Sequence, residues 1–340
     1  MTKIGVKVSG GESPLSEISF IAEYLAPLAS CAAAFGLKDD AALLRNLPAA
    51  GLVITSDAVV AGVHFFDEDA PADVAYKALA VNVSDLAAKA AKPIAYTMTL
   101  ALPGSPSRDW AAGLAAGLRR AQDAFGIDLI GGDTVSARGA WWISITAFGE
   151  ASLAGLLPRT GAKAGDRFYV TGTLGDSALG LKLRLGSGGF EEALSQNDRA
   201  YLLSRYLYPE PRLGMAAALS SCASASMDIS DGLALDLSRL CTASGVGAGI
   251  SVSSIPTSAA AGKALASDAN LMETILSGGD DYEILAAVPS AKTGIFEEMA
   301  EAAGLAITQI GEAVTGQPLV RFLDARGQIM PLRLKGFEHF

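Results

Sequence analysis

The chain has 340 residues, half of them hydrophobic (50%), which is enough for two domains with a core each. Its 26 lysines and arginines against 36 aspartates and glutamates leave a formal charge of −10, which argues against a nucleic-acid backbone or an anionic membrane as partner and favours a small or cationic one. The apolar residues are broken by charges, glycines and prolines, and no run approaches the roughly 18 residues of a membrane-spanning helix.

The first seventeen residues, MTKIGVKVSGGESPLSE, lack a secretory apolar core, so the expectation is a cytoplasmic protein with residues 1–10 as a loose tail. LVITSDAVV (52–60) predicts a strand, DVAYKALAVNVSDLAAKAA (73–91) a helix and IAYTMTLAL (94–102) a second strand. A helix is expected over 107–125, with Ser107 as its cap and Gly126 as its stop. DLIGGDT (128–134) reads as a short strand opening into a glycine turn, and 141–150 as another strand. The turn-rich segment 151–166 suggests a boundary between a domain at 11–150 and a second at 151–340. Beyond it the pattern predicts a strand at 167–172, helices at 175–186 and 231–244, a strand at 281–289, a helix near 291–303 and strands at 306–311 and 318–323. Strands and helices mixed in both halves give an α+β fold of two mixed α/β-sheet domains.

Three widely spaced cysteines, Cys31, Cys222 and Cys241, make neither a disulfide framework nor a zinc knuckle and read as buried thiols. Two histidines, His64 and His339, leave carboxylates as the ligands of any metal, and hence a hard ion such as magnesium. Aspartates recur at strand ends and turns, in KDDAALL (Asp39, Asp40), TSDAVV (Asp57), GGDT (Asp133), MDISDGLALDL (Asp228, Asp231, Asp236) and SGGDDYE (Asp280, Asp281). Asp85 is expected on a helix with Asn82 on the same face. Taken singly, such aspartates are turn formers or caps, and Asp231 is a candidate cap for its helix. Asp236 is expected at the surface, paired with Arg239 and outside any site. If several of the others meet, each pair at ~4 Å costs on the order of 4 kcal/mol, which bound cations would remove. Magnesium, held by a few carboxylates and by phosphate oxygens, suits acids spread over many loops. The P-loop pattern is absent, and the glycine-led loops VTGTLGDSALG and LIGGDT could offer backbone amides to a phosphate or simply make turns.

In order, KDDAALL, TSDAVVAGVHF, YKALAVNVSDLAAKAAKP, IGGDT, VTGTLGDSALGL, MDISDGLALDL, LSGGDDYEIL and KGFEHF resemble the motifs of the thiamine-monophosphate kinase family, over about residues 11–340. The wider superfamily includes aminoimidazole ribonucleotide synthetase and selenophosphate synthetase. The resemblance implies an aminoimidazole ribonucleotide synthetase-like fold dimerising through the N-terminal domain. It implies transfer of the γ-phosphoryl group of ATP to thiamine monophosphate, with several magnesium ions and no side-chain base, since the accepting phosphate is already ionised near neutral pH.

By matching positions, the resemblance makes Asp40, Thr55, Ser56, Asp57, Asp85, Asp133, Asp228 and Asp231 metal ligands. It makes Gly132, Asp133, Arg159 and Ser230 ATP contacts, and His64, Asp280 and Phe337 substrate contacts. Three positions depart from the family pattern: Lys38 for glycine, Ala58 for threonine, and Asp280 for the glutamate of SGGEDYE. The competing readings are another ATP-dependent synthetase of the superfamily and a nucleotide- or metal-binding relative without turnover.

Overall fold

The computed structural model describes residues 15–39, 41–45, 47–187 and 189–330. The first half is built from α1 (Glu17–Phe20), β1 (Leu52–Val60), α2 (Pro71–Ala88), β2 (Lys92–Leu102), α3 (Arg108–Phe125), β3 (Asp128–Ser136) and β4 (Trp142–Glu150). Its sheet has the order β1-β4-β2-β3, with β4 antiparallel to both neighbours and β3 parallel to β2. β1 and β3 are therefore its outer strands.

α3 follows the expected chemistry, since the Ser107 hydroxyl accepts the Trp110 N–H at its start and Gly126 turns left-handed at its end. β3 departs from the expected glycine turn, because the strand runs on through Gly131 and Gly132 to Ser136. It can do so because β2 lies very close: a Cβ on Gly132 would stand 1.9 Å from the Met98 carbonyl oxygen.

The second half carries β5 (Arg167–Thr171), α4 (Asp176–Leu185), α5 (Gln196–Leu207), α6 (Ala216–Cys222), β6 (Ala225–Asp228), α7 (Leu233–Ser244), β7 (Gly247–Ser251), α8 (Ala259–Ser267), α9 (Leu271–Ser277), β8 (Ile284–Val288), α10 (Thr293–Ala302), β9 (Ile307–Val314) and β10 (Val320–Leu323). The strands form a six-stranded mixed sheet, β10-β7-β9-β5-β8-β6. Residues 281–283, expected in a strand, form a loop before β8.

Each half has its own apolar core. A third cluster joins the end of α2 and the turn after it, through Ala87, Ala88 and Ala90, to Tyr169, Met215 and Phe296 of the second half. α2 is buried on nearly every side, as an interior helix should be when its sequence is apolar all round. Its few polar residues therefore have to be paid for by specific partners, and those partners define the site. Cys222 and Cys241 are buried as expected, and Cys31 is half-buried. Among the described residues no helix is long and apolar enough to cross a membrane.

Candidate active site between the two halves

β1, α2, β6 and the 278–283 loop enclose a cavity of about 490 Å³ lined by residues of both halves, among them Asp57, Asp85, Asp228, Ser230, Asp231, Arg159, His64 and Asp280. Period-two alternation along β1 points Thr55 and Asp57 to one face of the sheet, against α2. There the Thr55 hydroxyl donates to Asp85, and the Asp57 amide donates to Asn82 Oδ1 at 3.0 Å. Asn82 and Asp85, three apart on α2, thus present one polar stripe to β1.

Asp228 ends β6 and accepts the Ser84 hydroxyl at 2.6 Å. Removal from water, reinforced by the neighbouring Asp85 charge, pushes its carboxyl up to about 8. Asp57 is raised to about 6 by partial shielding of its carboxyl inside the cavity and by the Asp85 charge, although the residue as a whole is exposed. Lys89, at the end of α2, donates to the Ser226 carbonyl at 2.5 Å, and burial lowers its affinity for a proton. Among the described residues no three carboxylate, imidazole or thiolate side chains converge tightly enough to hold one ion. The carboxylates and hydroxyls facing the cavity are oxygen donors, a set that suits a hard cation keeping several waters rather than a closed cage.

Asp236 overturns its expected surface position. It is fully buried in the first turn of α7, and its Oδ2 accepts the amides of Ser230 at 3.0 Å and Asp231 at 2.9 Å. The expected pairing with Arg239 is present at 3.0 Å. Asp231 does not cap the helix: Gly232 occupies that position, and the Asp231 carboxylate pairs with Arg239 instead.

The loop facing 229–231 is pinned to it by Asp280 N–H to Ser230 O and Tyr282 N–H to Ile229 O, both 2.8 Å. Asp280 and Tyr282 adopt left-handed backbone angles (φ +62° and +51°), an uncommon state that the surroundings must hold. Glu283 supplies that hold. It is fully buried and accepts from Thr171 at 2.6 Å, from Arg205 at 3.1 Å and from Arg212 Nε at 2.7 Å. Gly279 is required by close approach, since a Cβ would stand 2.5 Å from the Ser230 carbonyl at φ +71°.

At the substrate end, His64 Nδ1 accepts the Val60 amide at 3.1 Å, which leaves Nε2 to carry the proton in the neutral ring. Asp280 is bound by Lys77 at 2.5 Å, and Lys77 also stands 4.1 Å over the Tyr206 ring. The 62–70 loop that carries His64 is tied to the second half by Arg184, which pairs with Asp69 and stacks 4.2 Å over Phe66.

Not all predicted site residues come together in one chain. Gly132 and Asp133 line a second cavity of about 490 Å³ with Asp39, away from Arg159 and Ser230. Ser56 faces the other side of the sheet, where its hydroxyl meets Thr146 Oγ1 at 3.0 Å and Ile145 O at 3.2 Å. Asp40 and Phe337 lie outside the described residues. Lys77, Tyr206, Glu283, Arg205 and Arg212 stand outside the residues to which the sequence motifs give a role. The lone lysine in the apolar run VAYKALAV was the available signal.

Two family models match the chain: AIR synthase related protein, N-terminal domain, over residues 38–151, and AIR synthase related protein, C-terminal domain, over 163–324. The chain is 39% identical to a thiamine-monophosphate kinase of Caulobacter vibrioides over 96% of its own length and 92% of the relative. The crystal structure of a thiamine-monophosphate kinase from Stenotrophomonas maltophilia superposes with a TM-score of 0.80 at 34% identity, covering 94% of this chain and 99% of that one. A structure described as AaThiL complexed with AMPPCP and TMP gives a TM-score of 0.74 at 28% identity, covering 99% and 100%.

Proposed function

The chain belongs to the thiamine-monophosphate kinase family of AIR synthase related proteins, and from that premise we infer how its own residues serve the reaction. It phosphorylates thiamine monophosphate with ATP, forming thiamine diphosphate in thiamine biosynthesis. The observation that carries the assignment of the site is the group of Asp57, Asp85 and Asp228 at the junction of the halves, with two carboxyls held above their ordinary range.

Thr55, Asp57, Asp85, Asp228 and Asp231 would hold magnesium ions; Ser56, turned to the other face of the sheet, would not join them. Bound there, magnesium would neutralise and align the phosphates of donor and acceptor for direct in-line transfer. The chain's own contribution is positioning. Asp236 fixes the 230–231 amides, and the Ser230 N–H is thereby engaged, so this residue offers its hydroxyl to the nucleotide. Arg159 lines the same cavity and brings positive charge to the phosphates. His64 and Asp280 would meet the acceptor, a role the family motif also gives to Phe337. Asp280 is a methylene shorter than glutamate, and its left-handed backbone and its Lys77 contact set where the shorter carboxyl stands.

The chain acts as a homodimer in this reading, and Gly132 and Asp133 supply the reason. They lie on β3, Thr55 and Asp57 on β1, and these are opposite open edges of one sheet. A second copy that sets its β3 beside β1 would cover both edges at once by two-fold symmetry and bring Asp133 of one chain toward Asp57 of the other. The domain boundary at residues 151–166 fits the gap between β4 and β5.

The test is chromatographic detection of thiamine diphosphate from ATP, magnesium and thiamine monophosphate, beside controls lacking metal or given free thiamine. Metal-dependent product from the monophosphate alone is expected. Absence of product with ATP still bound would overturn the reading.

A further inference from the structure

Lys77 is the least expected charge in α2. It stands in a helix that is otherwise interior, is 4% exposed, and is not among the residues to which the family motifs assign a role. An ammonium is placed in such a position only if its partners repay the loss of water. Three do so here: Asp280 Oδ2 at 2.5 Å, the Tyr206 ring at 4.1 Å and the His64 carbonyl oxygen at 3.4 Å. Asp280 and His64 come from opposite halves of the chain, and both line the cavity. The Tyr206 hydroxyl also reaches the His64 carbonyl, at 3.4 Å, so the ring is held between the two anchors.

The other Asp280 oxygen accepts the Tyr282 hydroxyl at 3.1 Å, while the side chain remains 30% exposed. With its charge met by Lys77, this carboxylate keeps free lone pairs toward the cavity and acts there as an oriented hydrogen-bond acceptor. Lys77 and the Tyr282 hydroxyl are the side-chain partners that set this direction, in a left-handed loop beside the other acids of the cavity. We propose that Lys77 is a positioning residue of the acceptor site, whose buried ammonium fixes the Asp280 carboxylate and the His64 backbone to each other so that they receive an N–H-bearing ring of the substrate. The proposal rests on the reading of Asp280 and His64 as acceptor contacts.

Steady-state kinetics of the full chain test it, with the KM values for thiamine monophosphate and ATP measured separately. Losing a charge-assisted hydrogen bond in Lys77→Met should raise the KM for thiamine monophosphate about tenfold or more. The KM for ATP should stay within about twofold, because the metal-bearing stretch of α2 is untouched. Asp280→Asn should show the same selectivity, and the double variant should cost less than the product of the two, as coupled residues do. Lys77→Arg keeps the charge with a larger head and should give a smaller, still selective rise. A normal KM in Lys77→Met beside a raised one in Asp280→Asn would overturn the role of Lys77 alone. Normal values in both would remove the acceptor-site reading itself. Equal rises for both substrates would make Lys77 a packing residue and overturn the proposal. If Lys77→Met does not fold, Lys77→Arg decides by the same selectivity.

Discussion

The buried carboxylate of Asp236 accepts the backbone amide of Asp231 at 2.9 Å, so a side chain from α7 shapes the loop that carries a candidate metal ligand. Asp236→Ala leaves two amides and Arg239 without this acceptor. The expected cost is about 1–3 kcal/mol of stability, together with a fall in turnover. Urea denaturation and a rate assay at saturating substrate check it, and unchanged values in both would show that the loop holds itself.

The metal-free protein should lose stability as pH rises from about 4 to about 8. Asp228 and Asp57 bind protons more tightly in the folded chain than in the unfolded one, so folding is favoured while they are protonated, and the advantage disappears as pH passes through their raised values. Magnesium should cancel most of this slope and chelator should restore it. Thermal melts across that range, with and without the ion, decide; a slope that ignores magnesium counts against metal at these carboxylates.

Asp133→Asn and Asp228→Asn should each be inactive alone. Mixed and allowed to exchange subunits, they should recover about a quarter of normal activity, because half the dimers are mixed and each of those holds one undamaged site. Activity of the re-equilibrated mixture measures this. If Asp133 serves the acids of its own chain, every site keeps a lesion and nothing returns.

Gly279→Ala places a side chain at a left-handed residue and against the Ser230 carbonyl. A loss of about 1–2 kcal/mol from the backbone conformation, plus the displacement of the facing loop, should lower the thermal midpoint and raise the KM for thiamine monophosphate. Wild-type values for both would mean that the two loops can move apart without consequence.

Much of the architecture was written locally in the sequence. β1, α3 with its Ser107 and Gly126 ends, and the strands around 142–150 and 167–171 all carry their periods and stop signals in adjacent residues. Burial of charge was not legible, because it depends on distant partners. Asp236 looks like an outward residue until the 230–231 amides are found above it, and Lys77 until Asp280 arrives from 203 positions away. The split of the acidic motifs between two cavities was equally hidden, since motif order along a chain says nothing of strand order in a sheet.

α2 bears Lys77 toward the acceptor end and Asp85 toward the phosphate end, eight residues and about 12 Å of helix apart. A helix packed on all sides cannot stretch, so it measures its substrate like a ruler. An analogue whose phosphate stands one methylene farther from its ring should seat either the ring or the phosphate correctly, and be transferred to slowly even when it binds well.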